Sequence, residues 1–178
     1  MHEILIRRLP YKGFTMYSLD DFVRHQVVSE CWRNVDGEWK LRPIAFTEDW
    51  GLDTCREEAA DIFQRADRDL ISFVALQSDT VVGFITLNTR TRGSRTQNLQ
   101  LESFQISEPC RGQGIGKALF AKACAAAKEL GAQKLYISAH SSRESQEAYS
   151  ALGCVHAQEI IPCIADKEPY DVQMEYAL

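Results

Sequence analysis

Three glycines alternate in Arg111-Gly112-Gln113-Gly114-Ile115-Gly116, and Lys117 follows at once. Glycine lets a backbone bend sharply and lets a bulky ligand approach its N–H groups. An alternating strand pattern precedes this stretch and a helical pattern follows it. The N–H groups therefore fall at a helix start, where unpaired donors meet the positive end of the helix dipole. Such a place receives phosphate oxygens, and Arg111 and Lys117 add cationic charge for them. Two familiar phosphate loops do not fit. A Walker loop needs Gly-Lys-Ser/Thr, but Ala118 follows Lys117 and no glycine lies five residues before Gly116. A dinucleotide fold needs its third glycine where Lys117 stands, and a carboxylate beyond the next strand, which ends Ile137-Ser138-Ala139. A plain connector would need fewer glycines and neither cation.

The elements that would position this loop can be read from periodicity. Residues 3–9 alternate as a strand, 11–18 read as a loop, and 19–35 as an amphipathic helix with Phe22, Val23, Val27 and Cys31 inward. Residues 36–53 lack clean periodicity and read as irregular. Thr54, with Glu57 three residues on, forms a capping box for a helix to about Arg68, with Ile62, Phe63 and Ala66 as its apolar stripe. Strands 71–77 and 81–89 flank the turn Ser78-Asp79-Thr80, and 88–97 is a polar hairpin loop. Strand 99–106 ends before Pro109. A helix then runs from Gly112 to Leu130, with Leu119, Ala123, Cys124 and Ala127 at helical spacing and Gly131 as its stop. Residues 134–139 form a short apolar strand. Ser141 with Glu144 reads as a second capping box, opening a helix that ends at Leu152-Gly153. Strands 155–160 and 172–176 close the chain. Helices on a mixed, largely antiparallel sheet, an α/β chain of the α+β type, form one domain over 1–178.

Composition narrows the function. The formal charge is −5 and no Lys/Arg block exists, which disfavours nucleic acid, whose binding needs clustered cations. The six cysteines, 31, 55, 110, 124, 154 and 163, show no Cys-x-x-Cys pair and no histidine at zinc spacing, so we expect free thiols and no metal. The first ten residues lack a signal-peptide core, and no apolar run approaches the ~20 residues that span a bilayer. A cytoplasmic protein without membrane contact is the expectation.

The loop, together with Leu101-Glu102-Ser103-Phe104-Gln105-Ile106 before it, resembles the coenzyme A signature of the GNAT N-acetyltransferase family. That pattern is Arg/Gln-x-x-Gly-x-Gly/Ala after a strand ending in an apolar residue. Ser145-Gln146-Glu147-Ala148-Tyr149-Ser150-Ala151-Leu152-Gly153-Cys154 is similar to the family's Ala-x-x-Phe-Tyr-x-x-Leu-Gly-Phe, with Ala148 in place of the usual aromatic. The resemblance is clear over residues 70–154. It implies a six- to seven-stranded, mostly antiparallel sheet flanked by about four helices, and acetyl-CoA as co-substrate. It also implies that the amides of Gly112, Gln113, Gly114, Ile115, Gly116 and Lys117, with Arg111, bind the diphosphate. Backbone at Phe104, Gln105 and Ile106 would pair with the pantetheine arm like an added strand. Ser142 stands where the family commonly has an asparagine that touches the cofactor.

Acyl transfer to an amine needs a proton acceptor for the nitrogen, polarisation of the carbonyl and a proton for the leaving thiolate, but no enzyme nucleophile. Tyr149 corresponds to the family's tyrosine near the sulfur and is assigned as general acid. Glu102, on the same side of its strand as Gln100 and opposite Leu99 and Leu101, is the candidate base, as an acidic residue is in many relatives. His140 is a second candidate; His2, His25 and His156 have no partners in sequence. The acceptor, a primary amine of a small molecule or peptide, is expected against Trp32, Trp39 and Trp50 with Glu48, Asp49 and Asp53, since aromatic faces and carboxylates suit an ammonium. Acyl-chain length and assembly, monomer or homodimer, stay open. The rival reading is a non-catalytic coenzyme A-binding sensor or interaction module.

Overall fold

A computed structural model describes residues 3–178; Met1 and His2, and with them the reading of His2 and of the first two residues of the N-terminus, lie outside it. Its elements are β1 (Ile4–Arg8), β2 (His25–Val35), β3 (Glu38–Asp49), α1 (Leu52–Arg65), β4 (Leu70–Gln77), β5 (Thr80–Asn88), β6 (Asn98–Ile106), α2 (Ile115–Glu129), β7 (Lys134–Ala139), α3 (Arg143–Ala151), β8 (Val155–His156), α4 (Pro162–Ala165) and β9 (Val172–Ala177). Seven strands form one sheet in the order β1-β4-β5-β6-β7-β9-β8, and β2-β3 form a separate hairpin. Among the described residues only the neighbouring strands β6 and β7 run parallel, joined through α2.

Helices cover both faces of the sheet, which is why β4 and β5 are almost wholly buried instead of alternating. On one face α2 packs Leu119, Phe120 and Ala123 onto Ile85, Leu87, Leu99, Leu101 and Ile137. On the other, α1 packs Cys55, Ala59 and Ile62 onto Val74 and Phe84. Among the described residues no helix is long and apolar enough to cross a membrane.

Two features of β6 make the site. It pairs with β7 only from Asn98–Lys134 to Leu101–Ile137, so from Glu102 onward its β7-facing edge is open. Its register with β5 slips between Thr86–Ser103 and Leu87–Leu101, which makes Glu102 the extra residue of a bulge. Bulges re-aim side chains beside functional sites. Leu99 and Leu101 face the α2 core, while Glu102 turns towards α1.

Several expectations need correction. No helix spans 19–35: residues 19–24 are turn and loop and 25–35 are a strand, and Asp36 (φ 53°) and Gly37 (φ 86°) make a two-residue turn that returns the chain as β3, so 38–49 is ordered too. Val23 and Val27, expected inward with Cys31, are exposed, while Val28 and Cys31 are buried across a one-residue slip of register near Ser29. Helix α1 starts at Leu52 with Gly51 as N-cap, so Thr54 and Glu57 form no capping box, and Phe63 is exposed. In α3 the cap is Ser142, whose Oγ accepts from Ser145 N at 3.3 Å, so Ser141 and Glu144 do not form a box. Finally, β8 is only two residues long, and the chain leaves the sheet towards α4.

Candidate active site

The gap between β6 and β7 opens into a cleft of about 960 Å³. At one end lies the glycine loop. Gly112 (φ 74°) and Gly114 (φ 81°) sit in the left-handed region, which side chains resist. Gly114 is the N-cap of α2 and supplies no side-chain cap; the first backbone bond recorded back to it comes from Ala118 N. The amides of Ile115, Gly116 and Lys117 are thus uncapped donors at the mouth of a 15-residue helix. Arg111 Nε donates to Ile106 O at 3.2 Å and Nη1 to His25 O at 2.8 Å, tying loop, β6 and β2 together. Burial, and then the charge of Arg24, lower its pKa from the usual guanidinium range. Arg111, Gly112, Gly114, Ile115, Gly116 and Lys117 line the cleft, as do Phe104, Gln105 and Ile106 on the open edge of β6. Uncapped amides, nearby cations and an unpaired strand edge fit a diphosphate followed by an amide-bearing arm. Two side chains of the expected set are turned elsewhere. The exposed Gln113 side chain turns back to Pro109 O at 3.2 Å. Ser142 is fully buried, its hydroxyl held by Gln26 and Ser145, so Ser145 lines the cleft in its place.

Tyr149, on α3, lines the same cleft with its ring 6.2 Å from that of Phe104. Burial above all, then the neighbouring Cys154 and Asp171, push its phenol well above the ordinary value. The phenol therefore stays protonated, and its hydroxyl has no hydrogen bond among the described residues.

Both oxygens of Glu102 are engaged: Arg65 holds them at 2.8 and 3.2 Å, and Asn88 Nδ2 donates at 2.6 Å. The carboxylate is thus held by two bonds from Arg65 and one from Asn88. His140 Nδ1 accepts from Ser142 N at 3.1 Å, and its Nε2 stands 3.2 Å from Glu48. Both ring nitrogens are thus occupied. Sequence reasoning missed three polar groups here. Arg65 anchors Glu102. Glu58 on α1 accepts from Ser103 Oγ at 2.6 Å, and burial raises its pKa. Asp171, just before β9, accepts from Ser138 Oγ at 3.0 Å and is likewise raised by burial. No local motif marks any of the three.

The expected acceptor cluster divides. Glu48, Asp49 and Trp50 line the cleft, with Asp49 bonded to His25 Nδ1. Trp32 and Trp39 line a separate cavity of about 400 Å³ beyond α3, where Trp39 stacks on His156, and Asp53 is exposed in the first turn of α1. Carboxylates of Glu48, Asp49, Glu102, Glu144, Glu168 and Asp171 line the cleft against three strong cations. Two of those cations, Arg111 and Lys117, belong to the loop, and the third, Arg24, is held by Glu48 at 2.7 Å. Away from the loop the wall is acidic.

The fold and the loop have parallels in known proteins. The chain is similar over 99% of its length to 98% of a putative streptothricin acetyltransferase from Bacillus anthracis str. Ames, solved with acetyl coenzyme A (TM-score 0.70, 18% identity). It is also similar to nourseothricin acetyltransferase (TM-score 0.69, 18% identity, 98% of each chain). A third likeness is to PaiA N-acetyltransferase from Thermoplasma acidophilum, solved with coenzyme A (TM-score 0.62, 16% identity, 99% of each chain). No curated protein matches it in sequence. At these identities the structures speak for the fold alone, but the sequence profile of the Acetyltransferase (GNAT) family matches residues 35–154, from the end of the β2–β3 hairpin through the glycine loop to the end of α3. The chain belongs to the GNAT family of acetyltransferases.

Proposed function

We propose that the protein moves an acetyl group from acetyl-CoA to a primary amine of a small molecule or peptide by direct attack. The observation that carries this reading is one cleft with two chemically opposite ends. One end offers uncapped helix amides, Arg111 and Lys117; the other is walled by carboxylates and Trp50. The first suits a diphosphate and the second an ammonium. The name of the Thermoplasma acidophilum relative, an N-acetyltransferase, agrees with nitrogen as the acceptor.

Acetyl-CoA, when bound, supplies the thioester whose carbonyl is attacked. Loop amides 112–117 hold its diphosphate, and the open edge of β6 at Phe104–Ile106 orients its amide-bearing arm. Tyr149, kept neutral by burial, gives its phenolic proton to the departing thiolate. Glu102 is assigned to the acceptor side. Held in place by Arg65 and Asn88, it takes part in proton removal by holding the incoming ammonium or a bridging water. Glu48, Asp49 and Asp171 extend that acidic wall.

The test is thiol release from acetyl-CoA against a panel of mono- and diamines, amino acids and short peptides, with calorimetry for coenzyme A. Turnover with an amine supports the reading. Tight coenzyme A binding without turnover on any amine would leave a non-catalytic binding module.

A further inference from the structure

We propose that Ser103 and Glu58 form the proton exit of this site, Ser103 Oγ taking the proton of the attacking nitrogen while its own proton passes to Glu58. This rests on the acetyl-transfer reading above and adds a residue pair to it. Ser103 lines the cleft next to Phe104, and its hydroxyl donates to Glu58 Oε1 at 2.6 Å. Glu58 itself stands behind Ser103, on α1, outside the cleft wall. Ser103 Oγ accepts no hydrogen bond among the described residues, and such a hydroxyl in the cleft wall with a carboxylate at its back is a two-step wire.

Several other basic groups of the wall are held by partners. Glu102 has both oxygens on Arg65 and Asn88, and both nitrogens of His140 face partners. Asp171 accepts from Ser138 Oγ at 3.0 Å. The charged groups facing Glu58 are Asp61 and Arg65 from its own helix and Glu102 from β6. Burial, Asp61 and Glu102 raise its proton affinity, and Ser103 and Arg65 oppose them; the net direction is up.

The step balances. From a neutral amine, the nitrogen lone pair forms the C–N bond and the carbonyl π pair moves to oxygen. The N–H proton goes to Ser103 Oγ and the Ser103 proton to Glu58. The oxyanion collapses, the C–S pair leaves on sulfur, and sulfur takes the Tyr149 proton. Solvent then returns a proton to Tyr149 and removes one from Glu58, so the net change is N–H to S–H.

The experiment measures kcat/KM against pH, by thiol release with the best amine, for the wild type, E58Q, S103A, S103T, D171N and the double variant E58Q/S103A. Coenzyme A affinity is followed by calorimetry and folding by Tm. A working base contributes about 10²-fold or more. E58Q and S103A should each lose about 100-fold, and the double variant no more than about threefold beyond the worse single one, because both cut one wire. S103T, which keeps a hydroxyl, should recover at least about tenfold over S103A, and coenzyme A affinity should stay within about twofold. Activity should rise with pH through the raised Glu58 pKa in the wild type, and that limb should vanish in E58Q. Multiplying losses, a limb that persists in E58Q, or one that vanishes in D171N would overturn the relay while acetyl transfer stands. Should E58Q fail to fold, equal activity of S103A and S103T overturns it as well. A wild type that turns over no amine ends both readings.

Discussion

At the residue scale, the chemistry depends on which groups keep or give up a proton. Tyr149 works as an acid only while protonated, and its raised pKa means that this function is lost only as pH climbs through a value above the usual phenol range. The alkaline fall in kcat should therefore lie above about pH 10, the ordinary tyrosine value. Tyr149→Phe should lower kcat about 100-fold and leave acetyl-CoA affinity within about twofold, read by steady-state kinetics and calorimetry. Equal loss of both would make the ring a packing element against Phe104. Glu102 behaves differently, because Glu102→Gln keeps the shape but ends the charge pair with Arg65. Arg65 retains Asp61 and Asp69, at 3.0 and 3.1 Å, so the fold should survive. The expected effect is a larger rise in the acceptor KM than fall in kcat; the reverse pattern would return to Glu102 the role of base.

At the element scale, the loop before α2 was legible because everything it needs is contiguous. Glycines, cations, the preceding strand and the following helix fall within residues 98–130, and local sequence fixes local backbone. Charge at its mouth can be separated from backbone strain. Gly114 (φ 81°) has open space at its Cβ position, so Gly114→Asn and Gly114→Asp pay a similar conformational cost, since both side chains tolerate this region better than most. Only Asp adds negative charge beside the uncapped amides. Asn should weaken coenzyme A binding by less than about tenfold, and Asp by more than about 100-fold, measured by calorimetry; equal effects would move the diphosphate away from this helix. The strand β7 was legible for the same local reason, with the same bounds, 134–139. The β2–β3 hairpin was not, although Asp36-Gly37 is a strong turn signal, because Val23, Val27 and Cys31, spaced by four, imitated a helical stripe that the exposed Val23 and Val27 do not form. That Ser142 would be buried was not legible for a subtler reason. Its burial comes from Gln26 and a bridge to Cys31, over a hundred residues earlier in the chain. Glu58 and Asp171 were invisible in the same way: each gains its meaning from an element distant in sequence.

At the scale of the whole molecule, two apolar cores lie on opposite faces of one sheet and share β4 and β5. Phe73 and Ile85 face α2, while Val74 and Phe84 face α1, so neither core persists without the other. Phe84 is fully buried, with ring centroids 5.4 Å from Phe22 and 6.4 Å from Trp50. Phe84→Ala should cost about 3–5 kcal/mol and broadly lower the Tm. The sheet is weakest where β6 and β7 part after Leu101, because backbone groups from Glu102 onward lack partners on that side. A ligand arm laid along that edge would supply them and couple the α2 half to the β7–β9 half. Binding to the folded state alone stabilises it by about 2.7 kcal/mol at a ligand concentration 100 times Kd. For a chain of this size each kcal/mol shifts Tm by roughly 2–4 °C, so coenzyme A should raise Tm by about 5–10 °C. The rise should disappear in Gly114→Asp while that variant's own Tm stays near that of Gly114→Asn. A shift of equal size in both variants would mean that the stabilising contact lies along the strand edge without the helix mouth, and that the two ends of the cleft do not act together on the cofactor.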